Sequence, residues 1–364
     1  MRNPSVPQVV AFPYYVDNPY TDLLYGAVRA SGYDILAPTK LDQLDRALID
    51  VGAGDVIHIQ WTSPIAHVGR DAEDSWRRVA WFQRIVTAAQ KRGAALIWTV
   101  HNIVPHGTVH LEQELALTRF LIEHADAVHV MNPATTVAVA DLYDIPADKT
   151  VVIPHCSYLD VYPQSITRAE ARAEFGLSAT DTVVLFLGQM RPYKGLDVLL
   201  PALERAGENR DDLVLLMAGK TIPADADEIQ RLIPQNIRVI RQHSHVDDLE
   251  LQRWLGAADV MALPYRKALN SGSAMLAATF GVPVLLADLP HFRAQFDGEP
   301  WVRFFQTDAD GNHLETALAE VRPLLHPDAD AVRYARSLTP ADMATSFQRL
   351  LERVRMKALA ARTG

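Results

Sequence analysis

The sequence contains very little cysteine. Cys156 is the only cysteine among 364 residues, so the chain cannot form an internal disulfide. A single thiol fits a reducing compartment. It follows the apolar run 150–154, and free cysteine usually packs as a small hydrophobe. We therefore expect Cys156 to be structural rather than catalytic.

Long apolar runs and an excess of positive charge are also missing. No stretch approaches about 18 uninterrupted apolar residues, and the N-terminus lacks a basic segment followed by an apolar one. We expect a cytoplasmic protein, with any membrane contact peripheral and at the inner face of the membrane. The formal net charge of -9 argues against general binding of nucleic acid, which normally needs a basic face.

The length of the chain predicts two domains. Apolar runs of strand length alternate with helical patterns along both halves, which predicts an α/β protein with two parallel sheets. We place a first domain at 1–163, a linker helix at 164–178, a second domain at 179–340 and a terminal helix at 341–364. The predicted strands are 8–12, 56–60, 94–100, 127–131 and 150–154, then 183–187, 213–218, 237–240, 260–263 and 284–287.

The first motif lies at the start of the second domain. The apolar run 183–187 ends at Gly188, and Gly195 begins an amphipathic helical pattern, with Arg191 and Lys194 in the loop between them. Two cations beside a helix N-terminus suit a phosphate or diphosphate, because the free N–H groups and the helix dipole favour negative charge. The alternative is an ordinary strand-to-helix turn with solvated basic residues.

The second motif spans 260–288, where a short strand, a polar loop, a helix and another strand follow one another. Asn270, Ser271 and Ser273 are residue types that cap helices, and Gly272 lets a ligand approach the backbone closely. This pattern predicts a second anion site facing the first. The alternative is that Ser271 is only an N-cap.

Together the two motifs resemble the donor-binding half of GT-B glycosyltransferases, most closely glycosyltransferase family 4 and its relatives. In that family the turn Gly-x-x-x-x-x-Lys-Gly, here 188–195, and a Ser-Gly helix start ahead of Phe-Gly-x-Pro-Val, here 280–284, hold the diphosphate of a nucleotide sugar. The resemblance covers most of the chain. It implies a GT-B fold, in which two Rossmann-like parallel-sheet domains enclose an interdomain cleft.

One departure separates the chain from many family members, which carry two glutamates around this helix. The corresponding positions hold Ala268 and Leu276, so the chain is closer to a subset with a Pro-Tyr-Arg loop, and the carboxylate contacts to the donor cannot be carried over. The resemblance assigns Tyr265 of that loop to the donor site. It also implies that the backbone near His245 and Val246 contacts the nucleotide base.

His101 follows the predicted strand 94–100. In α/β folds ligands bind beyond the carboxyl ends of parallel strands, which puts this residue at a site. A lone histidine is more often structural, but this one follows a Thr-Val strand end as in family 4 enzymes, where the equivalent histidine lies near the donor sugar. We expect His101 at the catalytic centre, in an orienting or stabilising role.

The loop after the first strand contains Asp17, Asn18 and Tyr20 where many GT-B enzymes have a glycine-rich loop. The resemblance suggests that this loop faces the acceptor. We assign Asp17 to the catalytic centre, and Asn18, Tyr20 and Trp61 to the acceptor. The alternative is a turn made rigid by proline that binds no ligand.

A helical pattern at 76–92 has a basic and aromatic surface made of Arg77, Arg78, Trp81, Arg84, Lys91 and Arg92. Basic and aromatic residues on one helix can indicate contact with anionic lipid. The alternative is the solvated face of an ordinary covering helix.

The resemblance thus implies a hexosyltransferase that moves a sugar from a nucleoside diphosphate sugar to a hydroxyl acceptor, such as a glycan, a glycolipid or a small molecule, in the interdomain cleft. We expect no cofactor and no metal, because no carboxylate pair is spaced to hold one. Two alternatives stay open. One is a nucleotide-sugar 2-epimerase of the same fold, and the other is a catalytically degenerate partner protein that binds a nucleotide sugar.

Overall fold

The structure is a computed structural model that describes residues 6–307 and 312–363. The chain divides into two compact units. The first contains the residues up to His155 together with those from Pro340 onward, and the second is Cys156–Thr339. The second unit therefore includes residues 156–178, which the sequence boundaries gave to the end of the first domain and to the linker.

The first unit is built around one parallel sheet. In chain order its elements are β1 (Gln8–Phe12), α1 (Pro19–Leu24), α2 (Gly26–Ala30), β2 (Asp34–Leu36), α3 (Leu41–Ala47), β3 (Val56–Ile59), α4 (Ala72–Lys91), β4 (Ala95–Val100), α5 (Leu111–His124), β5 (Ala127–Val130), α6 (Thr135–Val139) and β6 (Thr150–Val152). Among the described residues the strand order is β2-β1-β3-β4-β5-β6, with every neighbouring pair parallel. Strands β1, β3, β4 and β5 are wholly buried, which is why they occur in the sequence as continuous apolar runs.

The second unit repeats this plan. Its elements are α7 (Arg168–Glu174), β7 (Thr182–Leu187), α8 (Leu196–Gly207), β8 (Leu213–Ala218), α9 (Pro223–Leu232), β9 (Arg238–Gln242), α10 (Leu251–Ala257), β10 (Val260–Leu263), α11 (Gly272–Thr279), β11 (Val284–Ala287), α12 (Pro290–Phe296), β12 (Val302–Phe305), α13 (Asn312–Ala319) and α14 (Ala329–Ser337). The strand order in the described residues is β12-β11-β10-β7-β8-β9, again parallel throughout. The last helix, α15 (Pro340–Thr363), packs on α1 and α2 of the first unit.

The prediction of two parallel sheets is confirmed. The sequence patterns missed two strands, β2 and β12, and both lie at the edge of a sheet. These strands are short, and each exposes part of its length, with Arg303 pointing to solvent in β12. β2 has only three residues, and Arg303 interrupts the apolar residues of β12, so neither strand has the unbroken apolar run that reveals the central strands.

In each sheet the chain crosses from one side of its first strand to the other. In the first unit β1 connects outward to β2, and the chain then returns to β3 on the opposite side of β1. In the second unit β7 leads to β8 and β9 before the chain returns to β10 on the opposite side of β7. Such a switch point leaves a crevice at the carboxyl ends of the two strands, where α/β proteins bind ligands.

A buried carboxylate stabilises the opposite end of the second sheet. Asp259 directly precedes β10, and its side chain is fully buried. It accepts hydrogen bonds from the backbone N–H of Val183 and of Leu324, both at 2.6 Å. It also forms ion pairs with Arg168 and Arg172 of α7. Because every partner of this charge comes from another element, Asp259 joins α7, β7 and β10 at the end of the sheet away from the switch-point crevice.

We predict that Asp259→Ala lowers the free energy of unfolding by about 3–5 kcal/mol, because two arginines lose the charge that compensates them in a buried site. The measurement is urea denaturation. Asp297→Ala is the matched control, since Asp297 pairs with Arg293 while 75% of its side chain is exposed. Surface pairs contribute about 0–1 kcal/mol. Equal losses in the two variants would contradict the role of Asp259.

Candidate active site

The loop that follows β7, residues 188–195, is called here the β7 loop. Gly188 has a φ of 129°, and its N–H donates to the Ala218 carbonyl at 2.9 Å. A Cβ added to Gly188 would lie 3.5 Å from the Lys194 Nζ. Glycine at this position therefore leaves open the space between the end of the strand and the Lys194 ammonium.

Lys194 is held above an aromatic ring. Its Nζ lies 5.0 Å from the centre of the Tyr265 ring and 5.9 Å from that of Tyr193, distances at which a ring attracts a cation. Burial opposes the charge of Lys194, but the interactions with Tyr265 and Tyr193 outweigh it, and its pKa lies above its ordinary value. Lys194 is thus a cation at neutral pH.

The loop that follows β10, residues 264–271, is called here the β10 loop, and it leads into α11. The Tyr265 hydroxyl lies 3.0 Å from the Ser271 Oγ. Ser271 is the N-cap of α11, because its Oγ accepts the N–H of Ala274 at 3.0 Å. Gly272 begins the helix, and Ser273 in its first turn is partly exposed. Ser271 therefore has the capping role that was the simpler of the two sequence interpretations, at the helix start where the anion site was predicted.

The β7 and β10 loops are locked to each other. Gly195 has a φ of 75°, and a Cβ there would lie only 1.8 Å from the Pro264 carbonyl oxygen. The N–H of Arg266 donates to the Tyr193 carbonyl at 2.9 Å, and the Arg266 guanidinium pairs with Asp197 at the start of α8. The structure thus brings Lys194 and Tyr265 together at the β7/β10 switch point, beside the start of α11.

The remaining residues assigned to the donor are Arg191, Asn270, His245 and Val246. Arg191 is partly exposed, with its Nε 3.4 Å from the Gln189 Oε1, and Asn270 is partly exposed at the end of the β10 loop. His245 is exposed and Val246 is buried in the segment after β9, two strands away from β7 in the sheet. Their predicted contacts with the base are not tested by these positions.

The sequence patterns did not identify two further residues near these loops, Lys220 and His291. Lys220 follows β8, and its carbonyl accepts the Met190 N–H of the β7 loop at 3.0 Å. The pattern of an apolar strand followed by Gly219 and a cation is the same as in the first motif and could have indicated it. His291 is buried at the start of α12, and its pKa is lowered by burial, which a hydrogen bond to the Ala268 backbone partly offsets.

In the first unit, His101 lies where β4 ends and is surrounded by rings. Its imidazole stacks on Trp61 with ring centres 3.9 Å apart and planes at 17°. The Tyr20 ring meets it edge-on at 5.3 Å, and its Nε2 lies 2.7 Å from the Gln60 Oε1. Of the residues predicted for the catalytic centre and acceptor, the structure therefore brings together His101, Trp61 and Tyr20.

Desolvation lowers the pKa of His101 well below its ordinary value, and three neighbouring histidines add to the effect. The largest contribution among them comes from His129, followed by His58 and His155. The ring is therefore neutral at neutral pH. It can exchange hydrogen bonds with a hydroxyl group but brings no charge to the site.

Asp17 and Asn18 are placed differently from each other. Asp17 lies exposed in the turn before α1. Asn18 is the N-cap of α1, and its Oδ1 accepts the N–H of Tyr20 at 3.2 Å. Tyr20 itself is 2% exposed, so it contacts His101 from within the unit rather than forming an open surface. The predicted roles of these residues toward an acceptor remain predictions.

A cavity of about 480 Å³ lies at the carboxyl ends of β1, β2 and β3. Its walls include aromatic and apolar side chains together with a few polar ones, namely Tyr15, Lys40, Ser63, Val68, Arg78 and Trp81. Tyr15 also leans on Trp61, with ring centres 5.4 Å apart. Ser63 lines both this cavity and a smaller one next to His101. The cavity therefore shares one wall residue with the surroundings of His101.

Three arginines on and beside helix α4 hold partners within the unit. Arg77 pairs with Glu73 at 3.2 Å, and Arg78 donates to the Pro64 and Ile65 carbonyls, both at 2.8 Å. Arg92, the C-cap of α4, donates to the Val51 carbonyl at 2.8 Å. Within the described ranges, no helix combines the length and apolar character needed to cross a membrane.

Cys156 is 1% exposed, and burial raises the pKa of its thiol to about 12. A thiol with so high a pKa is almost wholly protonated at neutral pH, and the thiolate is the reactive form. This agrees with the expectation of a structural cysteine.

Comparison with known proteins gives three kinds of match. Residues 181–320 match the family model described as glycosyl transferases group 1. A GDP-mannose:glycolipid 4-beta-D-mannosyltransferase of Xanthomonas campestris is 25% identical over 311 residues, which cover 84% of this chain and 80% of that protein.

Two solved structures share the fold. Sucrose-phosphate synthase from Thermosynechococcus elongatus superposes with a TM-score of 0.67 at 16% identity, covering 96% of this chain and 97% of that one. Anabaena Alr3699/HepE in complex with UDP and glucose gives a TM-score of 0.68 at 12% identity, with 95% and 98% covered.

We predict that Gly195→Ala separates the β7 and β10 loops, because the new methyl group would overlap the Pro264 carbonyl oxygen. Gly298→Ala is the matched control, since Gly298 has a similar φ of 79° but nothing within 4 Å of an added Cβ. The control should lose only the roughly 1–2 kcal/mol of a left-handed alanine, and Gly195→Ala clearly more. Urea unfolding measures both, and equal losses would show that the two loops have room to separate without cost.

Proposed function

Because the chain is a GT-B glycosyltransferase of the family 4 kind, we propose that it transfers a hexose from a nucleoside diphosphate sugar to a hydroxyl acceptor. The observation that carries this proposal is the position of the Lys194 ammonium, held over Tyr265 beside the helix start capped by Ser271. A fixed cation and the N-terminus of a helix both attract phosphate.

The donor half acts mainly through electrostatics. When the bond between sugar and phosphate breaks, negative charge develops on the leaving diphosphate. Lys194 and Arg191 supply positive charge to it, and the first N–H groups of α11, from Gly272 and Ser273 onward, supply hydrogen bonds. These groups are in place before the reaction, so little reorganisation accompanies the change in charge. No metal or other cofactor enters this proposal, because the side chains provide the charge.

The class of donor has support from two relatives, while the base and sugar differ between them. The mannosyltransferase relative is named for GDP-mannose, and the HepE structure holds UDP and glucose. Both are nucleoside diphosphates combined with a hexose. We propose that the segment after β9, with His245 and Val246, contacts the base through its backbone and that Asn270 joins the donor site.

The acceptor half is proposed for the first unit, around His101 and the cavity next to it. A neutral imidazole stacked on Trp61 can orient a hydroxyl group through a hydrogen bond. Asp17 and Asn18, in the turn before α1, are proposed to face the same acceptor. The cavity offers the faces of Tyr15 and Trp81 together with the exposed ammonium of Lys40, which suits an acceptor that has an apolar face and an anionic group.

The name of the mannosyltransferase relative supports a glycolipid as this acceptor. A glycolipid would bring the chain to a membrane surface. We propose Arg84 and Lys91, which are exposed on α4, for contact with anionic headgroups, because Arg78 already donates to two backbone carbonyls. The relative from Xanthomonas campestris is named as a mannosyltransferase, which supports transfer over the 2-epimerase and the inactive partner.

We predict that Lys194→Ala weakens the binding of nucleoside diphosphates about 10- to 100-fold, because a charge-assisted contact is lost. Calorimetry with GDP and with UDP measures the affinity, and release of nucleoside diphosphate from a panel of donor sugars measures turnover. Arg336→Ala, which removes an exposed cation of α14 in the same unit, is the control and should bind normally. Wild-type affinity of Lys194→Ala for both nucleotides would contradict the donor site.

We predict that Tyr15→Ala raises the KM for the acceptor about 3- to 10-fold while donor affinity stays unchanged, because the cavity loses an aromatic face. Trp76→Ala is the matched control: Trp76 is 40% exposed and Tyr15 38%, and Trp76 is not part of the cavity lining. Kinetics at saturating donor give the KM for the acceptor, and calorimetry with nucleoside diphosphate gives the donor affinity. A change in donor affinity alone would show that the two halves are assigned the wrong way round.

A further inference from the structure

A chain of buried hydrogen bonds runs from His101 into the interior of the first unit. It passes from Gln60 through four side chains, called here the buried relay, which are Tyr25, His58, Thr99 and His129. Each of the four is 0% exposed. The Tyr25 Oη lies 3.2 Å from the Gln60 Nε2 and 2.6 Å from the His58 Nδ1. The Thr99 Oγ1 lies 2.7 Å from the His58 Nε2 and 2.9 Å from the His129 Nδ1. The His129 Nε2 lies 3.0 Å from the Ile153 carbonyl oxygen.

The far end of the relay fixes the direction of its hydrogen bonds. A backbone carbonyl can only accept, so the His129 Nε2 must carry a proton and donate to Ile153. Burial lowers the pKa of His129 to about 4, so the ring is neutral at neutral pH and its Nδ1 is an acceptor. The hydroxyl of Thr99 therefore donates to His129.

Each further hydrogen bond of the relay then has only one possible direction. The single hydroxyl proton of Thr99 is used, so its oxygen accepts from the His58 Nε2. Burial, and after it the neighbouring His129, lower the pKa of His58 well below its ordinary value. His58 is thus also neutral, and its Nδ1 accepts the hydroxyl proton of Tyr25.

The last links decide the state of His101. The Tyr25 oxygen, having donated its proton, accepts from the Gln60 Nε2. This fixes the orientation of the Gln60 carboxamide, so its Oε1 faces the His101 Nε2. Because a carboxamide oxygen only accepts, the proton of the neutral His101 ring is on Nε2, and Nδ1 carries the lone pair.

We propose that the buried relay holds His101 in the single tautomer with its proton on Nε2, which sets the direction of the hydrogen bonds that the ring can make during the transfer reaction. The four relay residues act through Gln60 and are positioning residues. The kinetic consequence rests on the proposed function, whereas the tautomer itself does not.

Helix α15 keeps water away from the relay. Phe347 is 0% exposed, its ring stacks on His58 with centres 4.7 Å apart, and it meets Tyr25 edge-on at 5.6 Å. Water could satisfy either direction of the chain of hydrogen bonds, whereas buried polar groups without water must find their partners within the protein. A dry relay with one end fixed at a carbonyl therefore has one satisfied arrangement.

The first test reads the tautomer directly. In protein labelled with ¹⁵N-histidine, long-range ¹H–¹⁵N correlations distinguish the two ring nitrogens, and His101→Gln identifies the His101 signals by their loss. We expect one Nε2–H tautomer that stays neutral between about pH 6 and 8. A proton on Nδ1, a mixture of tautomers, or titration near a pKa of about 6.5 would overturn the proposal.

The second test cuts the relay. Thr99→Val removes the hydroxyl and frees the chain from its fixed end, so both directions become acceptable and His101 should become a mixture of tautomers. Thr99→Ser keeps a hydroxyl and should rescue the single tautomer. Tyr25→Phe frees the Gln60 carboxamide to rotate and should give the same mixture. Circular dichroism checks the folding of each variant, and a single unchanged tautomer in either folded Thr99→Val or folded Tyr25→Phe would overturn the proposal.

Turnover links the tautomer to the reaction. For Thr99→Val we expect kcat to fall about tenfold or more with little change in the KM for the donor, since the affected group acts at the reacting centre. The spectra are recorded without donor or acceptor. If no donor sugar of the panel reacts, the proposed function fails while the tautomer result stands. If the tautomer mixes and kcat is unchanged, the role of the relay in the reaction is disproved.

Discussion

The close approach of two backbones at Gly195 and Pro264 is the constraint on which the proposed donor site depends. Neighbouring parallel strands lie only about 4.8 Å apart, so the loops leaving β7 and β10 must pass one another at the switch point. They pass where a Cβ on Gly195 would lie 1.8 Å from a carbonyl oxygen, so only a hydrogen atom fits. Because Lys194 is the preceding residue, this contact also places its ammonium over Tyr265 and next to the start of α11.

In the first unit, other interactions hold the side chains around His101 in place. The β7/β10 switch point of the second unit combines a cation, a helix start and a tight backbone contact, whereas the surroundings of His101 are neutral rings and amides packed away from water. Neutral polar side chains can be buried only if all their hydrogen bonds are made, because each unmatched polar group in a dry interior costs free energy. Phe347 of α15 stacks on His58, so the last helix contributes to the surroundings of a residue in β3.

The sequence was sufficient for the central strands, because a strand buried on both faces must be a continuous apolar run. It failed for β2, which has only three residues, and for β12, where Arg303 interrupts the apolar residues. It was also sufficient for the proximity of His101, Trp61 and Tyr20, since the strand ends β3 and β4 and the first crossover meet at one edge. It did not reveal that Asn18 caps α1 or that Arg78 binds backbone carbonyls, because such partners are set by tertiary packing. The relay left only one trace, a single histidine inside each of the buried strands β3 and β5.

The pairing of the strands explains why His58 and His129 belong to one chain of hydrogen bonds. Thr99 on β4 lies directly opposite His129 on β5, and His58 on β3 is paired with Ile97, two residues before Thr99 and on the same face. Since side chains alternate between faces with a period of two, a slip of one residue would turn Thr99 to the opposite face and interrupt the hydrogen bonds. The apolar residues of these strands set the register, because both faces of the sheet are buried. The same burial that selects the fold therefore determines which nitrogen of His101 carries the proton.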